Sequence, residues 1–203
     1  MKLRVRAFVV VVGLLLFVCP LMAFSHPHLF LENCLTIIFD QQGLAGIRVR
    51  WVFDEFFSSM IAGDYDRNHN SRLEGSEIKM IEKEAFANLI NFDYFTFIKI
   101  EGRPFKVKYI RDFSAALAAG KLIYDFLIPC HVKARSTFKE FIISQYDPSY
   151  YTLVVFAKDQ PVKVQNGSNF EISYRIAKNL KEAYYYGQIY PVEVILRFKR
   201  KHG

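Results

Sequence analysis

The hydrophobic period of this chain changes twice, and that change limits the folds open to it. From Leu29 to Phe39 apolar residues alternate, with Leu29, Leu31, Leu35, Ile37 and Phe39 on one face, as in a strand with one side buried. Gln41-Gln42-Gly43 reads as a turn, and Ile47-Arg48-Val49-Arg50-Trp51-Val52 alternates again, so the two segments predict a hairpin. The period then becomes helical. Phe53, Phe56, Phe57, Met60 and Ile61 follow the i, i+3, i+4, i+7, i+8 pattern of an amphipathic helix, and Ile78, Ile81, Ala85, Leu89 and Phe92 mark a second. The stretch Asp64 to Ser76 between them is polar and has no period.

Beyond Asn91 the signal is strand-like again. Tyr94–Ile100, Phe105–Ile110, Leu122–Ile128, Phe138–Gln145, Tyr151–Ala157, Val162–Gln165, Phe170–Ile176 and Val192–Phe198 are rich in β-branched and aromatic residues and separated by turn residues. Such spacing predicts a sandwich or barrel. Asn179–Tyr186 fits a short helix or a loop equally well. The expected fold is α+β and mainly β: a β-sandwich-like body with one helix–loop–helix inserted over residues 53–92.

The first 25 residues stand apart. Lys2, Arg4 and Arg6 precede the apolar run Ala7–Val18, which is shorter than the ~20 residues a membrane span needs and fits the core of a secretory signal. Ala23-Phe24-Ser25 places small residues for cleavage before His26; the alternative is an uncleaved anchor. Cleavage would remove three basic residues and lower the formal charge from +7 to +4. Residues 26–203 would then form a single mature domain, exported to the periplasm, with no further apolar stretch long enough to span a bilayer. A disordered chain is excluded by 52% hydrophobic and 16% aromatic content, and the basic and aromatic interleaving of an RNA-binding surface is missing, so no nucleic-acid partner is expected.

The polar stretch carries the most specific motif. It reads Asp66-Arg67-Asn68-His69-Asn70-Ser71-Arg72-Leu73-Glu74-Gly75-Ser76-Glu77. A calcium loop of the EF-hand type needs oxygen side chains at positions 1, 3 and 5, a main-chain carbonyl at 7, a water-mediated ligand at 9 and a bidentate Glu at 12. Asp66, Asn68, Asn70, Arg72, Glu74 and Glu77 occupy these positions, between two helical periodicities. Ser71 replaces the usual Gly at position 6, and only Asp66, Glu74 and Glu77 supply carboxylates. Both features predict a weak site, of the order of 10⁻⁴–10⁻³ M as in extracellular modules. A lone loop suits a structural staple better than a switch; a polar loop without an ion is the bland reading.

The expected cut also creates the terminus His26-Pro27-His28. A terminal His offers its α-amine and ring nitrogen to one metal as a chelate, and His28 adds a second imidazole. Pro27 has no amide N–H, which rules out the square-planar site built from deprotonated amides. A brace-like site for nickel, cobalt, zinc or copper and a pair of exposed terminal histidines are both compatible with the residues. Cys34 and Cys130 survive processing; a disulfide between them would contribute about 4–5 kcal/mol by chain entropy, and two free thiols is the equal alternative. Ser-elbow, HExxH, P-loop and GxGxxG motifs are absent, so an enzyme is not expected.

Taken together, several segments resemble the bacterial family catalogued as domain of unknown function 1007. They are His26-Pro27-His28 after a signal peptide, Trp51-Val52-Phe53-Asp54-Glu55-Phe56, the Asp66–Glu77 loop, Asn88-Leu89 with Tyr94-Phe95-Thr96, and Tyr146-Asp147-Pro148-Ser149-Tyr150-Tyr151. The resemblance covers nearly the whole mature chain. It implies an exported component of an ABC-type or nickel/cobalt-type transport system, partnered with an inner-membrane metal permease. On that basis the chain is expected to be a metal-binding accessory protein with a calcium staple. The alternative is a calcium-stabilised protein–protein interaction module without transition-metal cargo, using an aromatic surface such as Tyr184-Tyr185-Tyr186.

Overall fold

The computed structural model describes residues 27–201. Among the described residues eleven strands form two sheets. The first sheet holds β1 (Leu29–Phe39), β2 (Gly43–Phe53), β5 (Arg111–Ala118), β6 (Lys121–Lys133), β8 (Thr152–Phe156) and β9 (Val162–Gln165), in the order β5-β6-β2-β1-β8 with β9 also on β1. The second holds β3 (Thr96–Ile100), β4 (Arg103–Phe105), β7 (Lys139–Gln145), β10 (Phe170–Lys178) and β11 (Val192–Arg200), in the order β10-β11-β7-β3-β4. Antiparallel pairing dominates, but β8 and β9 both run parallel to β1. The fold is mainly β and sandwich-like, as the alternating segments predict.

The expected hairpin forms with Leu35 opposite Val49 and Ile37 opposite Ile47. Its turn depends on Gly43, whose φ is +155° and where a Cβ would lie 2.2 Å from the Val132 carbonyl oxygen. Inward residues of β1, β2 and β6 meet those of β7 and β11 in one core, which includes Leu35, Trp51, Phe126, Phe141 and Phe198, each at most 1% exposed.

Between β2 and β3 lies the helical insertion, with two adjustments to the expected faces. Helix α1 (Glu55–Tyr65) starts after Asp54, whose Oδ1 accepts from Phe57 N while its Oδ2 accepts from Phe30 N. Ser58 Oγ accepts from Leu122 N at 2.8 Å, which turns Ser58 and Ile61 inward and leaves Phe56 76% exposed. The expected stripe of Phe53, Phe56 and Met60 is therefore corrected: Phe53 ends β2, and both Phe56 and Met60 face solvent. Helix α2 (Gly75–Ile81) runs into a single π-helical turn (Glu82–Phe86) and then a 3₁₀ segment (Ala87–Phe95). A π turn inserts one residue, so Phe86 rather than Ala85 becomes fully buried and Phe92 emerges exposed.

The strand expected over Phe105–Ile110 is displaced. Strand β4 pairs with β3 in one sheet and β5 with β6 in the other, so residues 106–110 cross between sheets and have no ladder to join. Strand β5, rich in alanine and without a strand-like pattern, exists because the edge of β6 templates it. Residues 179–186 are irregular, closed by a bridge between Tyr184 and Ile189.

Cys34 and Cys130 are both free, so of the two alternatives the disulfide is not the one formed. Cys34 lies between the inward Asn33 and Leu35 and faces outward from β1, whereas Cys130 is buried on the inner face of β6. The register runs from Cys34 to Arg50 to Asp125. Cys130 is therefore about 16 Å further along the strand at ~3.3 Å per residue, on the opposite face.

Candidate metal centre

The Asp66–Glu77 loop hangs between α1 and α2, and its two ends are held by buried carboxylates. Asp66 and Glu77 are only 5% and 4% exposed. Asp66 Oδ1 accepts from Asn70 N at 3.1 Å, and its Oδ2 accepts from Ser71 N at 2.8 Å. Glu77 reaches back in the opposite direction: Oε1 accepts from Arg67 N at 2.9 Å and Oε2 from Glu74 N at 2.8 Å. The second contact is half of a capping box at the start of α2. The first residue thus holds the middle of the loop and the last holds Arg67 and Glu74, and the turn closes without a hydrogen-bond partner from the sandwich.

The middle of the loop bends through two left-handed residues, His69 at φ 55° and Ser71 at φ 60°. Glycine is absent from both positions, and a non-glycine residue in this region costs about 1–2 kcal/mol. Asn68 Oδ1 accepts from Asn70 N, and Asn70 Oδ1 accepts from Arg72 N. The two side-chain amides both donate to Glu74, Asn70 Nδ2 at 2.8 Å and Asn68 Nδ2 at 3.1 Å. His69 is exposed.

This donor set suits a hard cation. Each carboxylate or amide oxygen accepting one N–H keeps a second lone pair, and calcium takes six to eight such oxygens at about 2.3–2.6 Å. Among the described residues no group of three His, Cys, Asp or Glu side chains converges tightly enough to hold a metal ion. The loop would therefore rely on Asn68, Asn70 and the Arg72 carbonyl beside its carboxylates, which is oxygen chemistry of low charge. Arg67 and Arg72 are both exposed and offset part of the acidic charge.

His26 lies outside the described residues, as does the whole of the expected signal segment 1–25. His28 is described and exposed, but it is tied down: its N–H donates to Tyr151 O at 2.9 Å and its ring lies 5.1 Å from that of Tyr151. The turn that presents Tyr151 is built by Asp147, 4% exposed, whose carboxylate accepts from Ser149 N, Ser149 Oγ and Thr152 N. His131, after Cys130, is exposed on β6. Among the described residues no helix is long and apolar enough to cross a membrane.

Several motif residues do structural work. Trp51 Nε1 donates to Gln145 Oε1 at 3.1 Å, Gln145 Nε2 donates to Thr96 Oγ1 at 2.8 Å, and Thr96 Oγ1 donates to Tyr94 O. This chain of bonds ties β2 to the end of β7 and the start of β3 through the core. Asp54 and Asp147 fasten the two turns next to β1 in the same way. Asn33 is the residue that sequence reasoning missed. It occupies an inward position on β1 at 1% exposure, yet neither Oδ1 nor Nδ2 has a hydrogen-bond partner in the protein. Only its place as a polar residue in an otherwise apolar alternation signals it.

Residues 11–188 match the family described as "Protein of unknown function (DUF1007)", and the chain belongs to that family. A Spirochaeta aurantia protein described as an uncharacterized 15.5 kDa protein in the trpE 3' region is 28% identical over 130 residues, covering 63% of this chain and 91% of the relative. An uncharacterized protein of Haemophilus influenzae is 24% identical over 141 residues, covering 68% of this chain and 66% of the relative.

Proposed function

We propose that this member of a family without an assigned function is an exported, periplasmic metal-binding accessory protein, stapled by calcium at Asp66–Glu77, that serves a divalent transition-metal transport system. The observation that carries the calcium half is the loop's oxygen array, with Asp66 and Glu77 buried at its two ends and Asn68, Asn70 and the Arg72 carbonyl between them. Calcium there would tie α1 to α2 and so brace the insertion against β6. The transition-metal half rests on His26 and His28 and on the family resemblance to components that accompany inner-membrane nickel or cobalt permeases. His28 supports it by being exposed and anchored to Tyr151, which would hold a processed terminus at one fixed place on the sandwich.

Calorimetric titration separates the parts. Protein processed to begin at His26 should bind calcium in the loop and, with calcium present, one equivalent of nickel, cobalt, zinc or copper. A sample carrying one additional N-terminal residue should keep the first and lose the second. Equal transition-metal affinity in both samples overturns the brace.

The aromatic surface supports a second reading, a calcium-stabilised interaction module without metal cargo. Phe97, Tyr146 and Tyr184 stack in series at 4.3 and 4.5 Å, and Tyr150, Tyr185 and Tyr186 extend the series. Tyr186 ends it 92% exposed. Retained calcium binding with no transition-metal binding in either sample favours this second reading.

A further inference from the structure

Both sheets end in strands with an open edge, and among the described residues all but one of these edges are blunted. β4 has three residues and carries Pro104, β9 has four residues and β8 five, and the register of β5 slips between Arg111 and Ser114. Short length, proline and bulges are the means by which proteins keep an edge from pairing with another chain. β10 has none of them: its nine residues lack proline and run in unbroken register with β11 from Phe170 to Lys178. Just beyond its two ends Asn179 N donates to Pro191 O and Lys201 N donates to Asn169 O. Bonded pairs of an antiparallel ladder recur at every second residue, so Glu171, Ser173, Arg175 and Ala177 are the residues that bond to β11. Ile172, Tyr174 and Ile176 then aim both N–H and C=O at the open edge, where no main-chain group of the described residues meets them. Their side chains share the inner face with Phe170, yet Tyr174 is 46% and Ile176 37% exposed.

We infer that β10 pairs antiparallel with β10 of a second copy of this chain, about a two-fold axis at Ser173, joining the two five-stranded sheets into one. An axis through a residue sets outward-directed groups opposite outward-directed groups, and the side chains choose which residue. Centred on Ser173, Ile172 lies opposite Tyr174 of the second copy, and the two exchange both main-chain bonds. Phe170 lies opposite Ile176; its own N–H is taken by Gly167 O, but its C=O can accept from Ile176 N. Glu171 lies opposite Arg175, and the two-fold makes that ion pair twice. It is a non-hydrogen-bonded pair, the kind whose side chains come closest. Centred on Tyr174, Glu171 would meet Ala177 and Arg175 would meet Ser173. Centred on Arg175, two guanidinium groups would face each other. Arg175 is exposed and has no acidic partner among the described residues. Glu171 gives Oε2 to Lys199 at 2.9 Å and keeps its other carboxylate oxygen for the second copy. The pairing covers Tyr174 and Ile176, and it depends on neither the calcium loop nor the His26 terminus.

Sedimentation velocity over a concentration series, on protein beginning at His26, tests the pairing. The chain should pass from monomer to dimer as its concentration rises. Glu171→Arg and Arg175→Glu should each weaken the dimer at least about tenfold, since each sets like charges opposite one another twice. An equimolar mixture of the two variants should regain it, because every Glu then faces an Arg again. Tyr174→Pro should abolish the dimer and leave β10 folded, as the N–H it removes belongs to the open edge, where proline is tolerated. Hydrogen exchange gives a readout that needs no variant. The amides of Ile172, Tyr174 and Ile176 should exchange fast in dilute protein and at least about tenfold more slowly in concentrated protein, while Ser173 and Arg175 stay protected throughout. A chain that remains monomeric over the whole series overturns the inference. So does a dimer that both charge variants retain, or folded variants whose mixture does not reassociate. A dimer in which Ile172 and Tyr174 gain no protection places the contact on another face and overturns it as well.

Discussion

The Asp66–Glu77 loop and the largely apolar cleft of about 320 Å³ that Asn33 lines between β8 and β10 are built in opposite ways. Every side-chain hydrogen bond that shapes the loop joins residues within the twelve-residue segment itself. The cleft draws on β1, β7, β8, β10 and β11, from residue 33 to residue 192. The loop's inner groups are satisfied, whereas the cleft leaves one buried carboxamide with nothing to bond. A locally closed motif can carry an ion without involving the core. A site assembled from distant strands holds an unsatisfied group only because the surrounding core has already been secured elsewhere.

If loop integrity is local, the largest effect should come from Asp66→Ala. It removes a buried carboxylate accepting from two main-chain N–H groups, each such charge-assisted bond being worth about 1.5–3 kcal/mol. A loss of about 3 kcal/mol in urea unfolding is expected, with the resonances of the Asn33 cleft unmoved; a shift there would break the comparison. Calcium should come next. At a hundredfold excess over its dissociation constant it should stabilise the chain by about 2.7 kcal/mol, read as a rise in melting temperature that Asp66→Ala eliminates. The same rise in the variant would place the ion somewhere other than the loop.

Smaller changes sharpen the contrast. Ser71→Gly relieves a left-handed residue and should add about 1 kcal/mol to folding, with calcium affinity by titration unchanged, because the left-handed turn is already formed before an ion binds. Tighter binding in the variant would mean that the ion drives Ser71 into a more strained conformation than the free loop holds. On the cleft side, the Tyr184 phenol is pushed up to about 12 by burial and then by Tyr150, Tyr146 and Asp147. Because its folded value lies above its unfolded one, the associated stability is intact below about pH 10 and lost as pH rises from about 10 to 12. A Tyr184→Phe variant should show a shallower alkaline decline in denaturant midpoint, while Asp66→Ala should leave that slope alone.

Membership in a family of unknown function adds an instructive point. Of the residues that carry the resemblance, Trp51 is bonded to Gln145 through the core, Asp54 caps α1 and holds β1, and Asp147 builds the turn that receives His28. These explain why the chain folds as it does. They do not by themselves name a chemistry, and the proposed function accordingly rests on the loop and the terminus.

By itself the sequence determined whatever depends on near neighbours. Alternation in β1 and β2 named their hairpin and its buried face, because a period of two maps onto a pleated strand without outside help. The Asp66–Glu77 loop was legible for the same reason, its spacing being its geometry. Tertiary structure alone decided the rest. The inward face of α1 turned on the bond between Leu122 N and Ser58 Oγ, a contact 64 residues away in the chain. The π turn moved burial from Ala85 to Phe86, and the crossing of residues 106–110 between sheets took away the partner a strand would need. Cys34 and Cys130 were parted by strand parity and register. Asn33 came to line a cleft only once β8 and β10 had become the edges of two separate sheets, since a strand edge is defined by the neighbour it lacks.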